Sequence, residues 1–121
     1  TDIGETVSLL ENFEHAHLKL AFDTYYFGTD DAAMKRLQQW APHLGIVHLA
    51  DARHVPDGEQ DRCPLGAGIV PLQRIVATLV AAGYDGYFDV KLMGQEIETV
   101  DYRDLVQQSR ATVTQLCQLA Q

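Results

Sequence analysis

A chain of 121 residues with 46% apolar content suits one folded domain and excludes a disordered one. Its formal net charge of -8 argues against a nucleic-acid partner, and no apolar run approaches the ~20 residues of a membrane-spanning helix. Cys63 and Cys117 belong to no CxxC or CxxH spacing, and no signal peptide is visible. They read as free thiols in a reducing compartment, which places the chain in the cytoplasm.

The chain starts at Thr1, without Met, at the edge of a helix, and is expected to be a fragment or a processed chain. Ile3, Val7, Leu10 and Phe13 predict a first helix over residues 4–14. Residues 18–23 alternate as a strand. Gly28 and the run to Asp31 offer a turn and a cap. A second helix follows, with Ala33, Met34, Leu37, Trp40, Ala41 and Leu44 on its stripe, closed by Pro42 and Gly45. The second strand is expected at residues 45–51, then a polar loop to about residue 68. Pro71 is expected to open a helix striped by Leu72, Ile75, Val76, Leu79 and Val80, and Gly83 to cap it. A third strand, residues 86–92, and a polar loop precede a last helix over residues 102–119.

The order is one helix followed by three strand–helix units, which implies a parallel sheet with right-handed crossovers. Strand side chains alternate between faces. Leu18, Leu20 and Phe22, then Val47 and Leu49, then Phe88, Val90 and Leu92 form an apolar set. The opposite face carries Lys19, Ala21 and Asp23, then Ile46, His48 and Ala50, then Tyr87, Asp89 and Lys91. A sheet with helices on both faces would be apolar throughout. A barrel, with helices outside and a polar interior, explains the difference. Asp23, His48 and Lys91 then stand near the C-terminal strand ends, where barrel sites are built. The alternative is a buried polar cluster without function.

Four motifs in order, FDTYY at 22–26, VHLAD at 47–51, LGAG at 65–68 and GYDG at 83–86 followed by a strand, resemble the xylose-isomerase-like barrel superfamily. That superfamily holds sugar and sugar-phosphate isomerases and epimerases and the endonuclease IV-type enzymes. The resemblance implies an α/β fold: residues 1–121 as one partial (β/α)8 TIM barrel, its C-terminal three βα units preceded by one helix, with strands 6–8 of eight. A whole barrel takes ~250 residues.

The resemblance implies a divalent metal, Mn2+, Mg2+ or Co2+, held by two Glu, one Asp and one His, with the glutamates moving a proton between adjacent carbons. Asp23 and His48 match the Asp and His ligands, and both are chemically suited to such a metal. One Glu would precede this chain. Tyr26 stands where a His is common. Lys91 stands where the last Glu is expected, and an ammonium has no lone pair to offer a metal. Asp23 and Lys91 come from alternate strands, so an Asp23–Lys91 ion pair is the alternative to a metal at Asp23, and metal binding is expected to be weakened or absent. Lys91 is also the candidate acid–base or Schiff-base residue.

Arg53 and Arg62 in the long loop are candidates to hold a substrate carboxylate or phosphate, with solvated loop arginines as the alternative. Tyr25, Tyr26 and Tyr87 either line a sugar cleft or pack. The expected function is isomerase or epimerase chemistry on a ketose or keto-polyol. A barrel relative that binds a small polyol without catalysis, or serves as a partner subunit, is the second reading. A phosphodiesterase acting on abasic DNA is disfavoured by the acidic charge. Three strands cannot close a barrel, so pairing with the rest of the barrel or self-association is expected.

Overall fold

The computed structural model describes residues 2–58 and 61–121. Asp2 starts the first helix, α1 (Ile3–Phe13), by accepting the Glu5 amide at 3.1 Å. Glu14 ends it in the left-handed region at φ 47°. A turn closed by the Leu18 amide on the His15 carbonyl at 3.0 Å uses up the residues expected to open the strand. The strand therefore begins two residues late, as β1 (Leu20–Asp23). A one-turn helix, α2 (Thr24–Phe27), follows directly, capped by the Asp23 carboxylate on the Tyr25 amide at 2.9 Å.

Asp30 caps α3 (Asp31–Trp40) through the amides of Ala32 and Ala33. The α-helix stops before Pro42, and a 3-10 turn, Ala41–His43, completes the descent. Leu44, expected on the helix, already belongs to β2 (Leu44–Leu49). The loop after β2 contains a small hairpin that composition did not suggest. In it β3 (Asp51–Ala52) pairs antiparallel with β4 (Arg62–Cys63). Pro71 precedes α4 (Leu72–Ala81) as its flanking residue instead of its first helical one. Gly83 closes α4 at φ 83°, in the left-handed region that favours glycine, with its amide on the Val80 carbonyl and that of Tyr84 on Leu79. Then come β5 (Tyr87–Val90), the short α5 (Gln95–Glu98) and α6 (Tyr102–Leu119), which Asp101 caps.

The main sheet has the order β1-β2-β5 with both pairings parallel. Asp23 pairs in register with His48, and His48 with Asp89. The Lys91 amide continues the ladder on the Leu49 carbonyl at 3.0 Å. Beyond β1 the Thr24 hydroxyl does the same. It donates to the Ala50 carbonyl at 2.6 Å and accepts the Ala50 amide at 2.8 Å.

One side of the sheet is the core. Phe22, Val47 and Leu49 are buried there with Leu37 and Trp40 of α3, Ile75, Val76 and Leu79 of α4, and Leu116 of α6. Full burial of each such side chain contributes about 1.5–3 kcal/mol. The other side is open: Ala21 and Asp89 are exposed, and Tyr87 is 79% exposed. The alternation read in the sequence thus has the expected sense, with helices on one face only. This is an α/β fold, a three-stranded parallel sheet covered by helices on one face. Cys63 is buried and Cys117 half-buried, both as free thiols. Among the described residues no helix is long and apolar enough to cross a membrane.

Candidate active site

Asp23 is the centre of the polar face. It ends β1 and turns its carboxylate back to cap α2, which fixes one oxygen on the Tyr25 amide. The other oxygen, Oδ2, lies 3.3 Å from Lys91 Nζ and 3.5 Å from Arg62 Nη2. The Asp23–Lys91 ion pair, the alternative to a metal at Asp23, is therefore present, and a second cation joins it.

Arg62 is not a solvated loop residue. It is 1% exposed, with its guanidinium 4.0 Å from the centre of the Tyr25 ring and 5.7 Å from that of Tyr26. The β3–β4 pairing carries it inward beneath the sheet end. Tyr25 is fully buried, and its hydroxyl bonds to the Asp61 carboxylate and the Gly58 carbonyl. Burial, with Asp61 at the hydroxyl, pushes the phenol up to about 12. Tyr25 is thus a packing and hydrogen-bonding platform under Arg62, while Tyr26 is 45% exposed.

His48 Nδ1 lies 2.8 Å from Asp89 Oδ2. This contact orients the ring across adjacent strands and leaves Nε2 as the nitrogen for other chemistry. Arg53 forms a two-point contact with Glu96, Nη2 to Oε1 at 2.5 Å and Nε to Oε2 at 3.2 Å, and donates to the Ala67 carbonyl at 2.7 Å. Glu96 in turn holds Arg53 above its ordinary pKa, and Arg53 holds the Glu96 carboxyl below its own. The structure therefore brings Asp23, Arg62 and Lys91 together, with His48 on the next strand, and sets Arg53 in the loop-to-loop contact.

Sequence reasoning passed over Asp51. It is fully buried and receives four backbone amides: Ala52 and Val70 on Oδ1 at 2.9 and 3.1 Å, Gly66 and Gly68 on Oδ2 at 2.9 and 3.1 Å. A Cβ on Gly68 would stand 2.2 Å from the Ala52 carbonyl oxygen and 2.3 Å from Asp51 Oδ1, so that position must be glycine. The available signal was the pairing of an Asp at a strand end with a glycine-rich run fifteen residues on. Such a run presents amides, and a buried carboxylate needs them. Asp51 thereby anchors the far side of the loop that delivers Arg62.

The metal implied by the resemblance does not fit these residues. Asp23 Oδ2 is already shared by an ammonium and a guanidinium, and Oδ1 is committed to an amide. A dication at that carboxylate would meet two positive charges within a few ångströms, each repelling it by several kcal/mol at an effective dielectric of ~20. Among the described residues, no three His, Cys, Asp or Glu side chains gather so as to hold a metal ion.

No curated protein matches the chain in sequence. Among solved structures, the IolI protein with a binding zinc atom superposes at a TM-score of 0.81, with 17% identity over 94% of this chain and 42% of its own. A xylose isomerase domain protein from Alicyclobacillus acidocaldarius gives 0.82, with 21% identity over 98% and 44%. L-ribulose 3-epimerase gives 0.74, with 18% identity over 97% and 42%. The chain thus spans well under half the length of the structures it resembles, and the likeness is one of fold. The family described as xylose isomerase-like TIM barrel matches residues 1–114. With the parallel sheet, the one-sided helical layer and the polar face now in place, the chain belongs to that family.

Proposed function

We propose that this chain is the part carrying strands six to eight of a cytoplasmic barrel that isomerises or epimerises a sugar, sugar phosphate or keto-polyol. Isomerisation moves a proton between adjacent carbons of a ketose, and epimerisation takes it from one carbon and returns one to the opposite face of that carbon. The observation that carries the reading is the row of Asp23, His48 and Lys91 at the C-terminal ends of adjacent parallel strands, on the face without helices. The family match and the likeness to a 3-epimerase support it.

In this reading His48 is the proton carrier, with Asp89 orienting its ring. Lys91 stabilises negative charge on substrate oxygen, and Arg62, proposed from the sequence as a substrate contact, adds positive charge from beneath through Asp23. Tyr26 and Arg53 border the substrate, a small sugar or polyol, and the missing wall comes from the rest of the barrel. Metal assistance by Asp23 and His48 with Mn2+, Mg2+ or Co2+, as the family resemblance implies, conflicts with the charges now at Asp23. Neither nucleic acid nor membrane is a partner.

The test is a turnover assay of the whole protein on a panel of ketoses, keto acids and inososes, with His48→Gln as control. Isomer exchange that falls at least 100-fold in His48→Gln supports the reading. Inactivity across the panel together with saturable polyol binding would favour a non-catalytic barrel that binds a polyol or serves as a partner subunit. One observation favours that second reading: a lysine occupies the place where the family resemblance expects a carboxylate base.

A further inference from the structure

The charges at Asp23 carry a sharper statement about the same site. Asp23 has one oxygen fixed on the Tyr25 amide and the other between Lys91 Nζ and Arg62 Nη2. Its side chain is 10% exposed, and that of Arg62 is 1%. Arg62 is locked in place by the Tyr25 ring below it, and Tyr25 by Asp61 and Gly58. Lys91 differs. Its side chain is 40% exposed on the open face of the sheet. Its backbone is pinned to β2 by the amide bond to Leu49, so the ammonium leaves a rigid strand end. Among the described residues its ammonium makes one contact, to Asp23. An ammonium has three donors, and two remain for a ligand.

We infer that Lys91 is a built-in cation that supersedes a divalent metal at Asp23, and that the site engages an electron-rich oxygen of its substrate through this ammonium without any metal. Asp23 then serves as a positioning residue for Lys91. The ligand class is a polyhydroxy carbonyl compound or its acid, held by hydrogen bonds from a monocation mounted on a rigid strand end. The substrate half of this rests on the function proposed above; the exclusion of metal does not.

The experiment is a titration of the whole protein with Mn2+ alone, followed by the paramagnetic enhancement of water-proton relaxation. The wild-type protein is expected to show no saturable site up to millimolar Mn2+. Lys91→Glu, which removes the cation and adds a carboxylate, is expected to gain a site at least tenfold tighter. Lys91→Gln keeps the chain length without the charge, and a smaller gain is expected there should the Glu variant fail to fold. Two results would overturn the inference: wild-type binding at micromolar Mn2+ that Asp23→Asn abolishes, or folded Lys91 variants that gain nothing. In the assay of the preceding section, turnover should survive excess EDTA and fall at least tenfold in Lys91→Gln. Should no substrate turn over, the proposed function fails while the Mn2+ titration still decides the role of Lys91.

Discussion

Two loops leave the same end of the sheet and are held in opposite ways. The loop after β2 is braced by a buried carboxylate, Asp51, that collects four backbone amides. The loop after β5 is joined to it at the surface by Arg53 and Glu96, whose side chains are 45% and 40% exposed, and further in by the Asp61–Gly94 bridge beside buried Ile97. A charge-assisted hydrogen bond out of water is worth far more than an ion pair that solvent and salt can screen. Residues 66–70 should therefore depend on the Asp51 brace far more than the second loop depends on its Arg53–Glu96 pair. The first loop carries Arg62, and the second follows directly from Lys91. The site thus joins a buried cation to one that is 40% exposed on a rigid strand end.

The largest effect is expected from Asp51→Ala. It strands buried amides and should destabilise the chain by about 3–5 kcal/mol, read as a shift in the urea midpoint. A loss under about 1 kcal/mol would remove the brace from the account. Gly68→Ala comes next. Its added carbon has no room beside the Ala52 carbonyl, and a cost of about 1–3 kcal/mol is expected from the same measurement. An unchanged midpoint would mean that the loop gives way easily.

Tyr25→Phe is expected to cost about 1–2 kcal/mol by losing the hydroxyl bond to Asp61. It also has a pH signature. The folded phenol titrates at about 12 against an ordinary 10, so the fold favours the protonated form. Its contribution is complete below pH 10 and is lost as pH rises from 10 to 12. The wild-type stability curve should fall across that window and that of Tyr25→Phe should fall less. Equal slopes would contradict the buried hydroxyl. The smallest effect belongs to Glu96→Gln, which should leave the midpoint nearly unmoved at 150 mM salt. A large change there would erase the contrast between the two loops.

The sheet was legible because alternation is a local property. Phe22, Val47 and Leu49 had to face apolar cover, and Asp23, His48 and Lys91 had to face the other way. The Asp23–Lys91 contact followed from strand phase plus barrel layering. Three things lay beyond that reasoning. The burial of Arg62 depends on the β3–β4 hairpin, and two-residue strands leave no periodicity. The capping turn after Asp23 depends on a side chain bonding to its own backbone, which a strand pattern hides. The late start of β1 depends on the His15–Leu18 turn, where apolar Leu18 looked like strand and stays 46% exposed. In each case long-range pairing or turn chemistry overrode a local pattern.

The Asp51 brace also bears on time. Amide protons in irregular loops ordinarily trade with solvent quickly, because brief local openings expose them. Those of Gly66, Gly68 and Val70 can open only when the Asp51 carboxylate lets go of them. Their hydrogen exchange should therefore run on the clock of the central strand, and a stretch without regular structure would be among the last parts of the chain to take up deuterium.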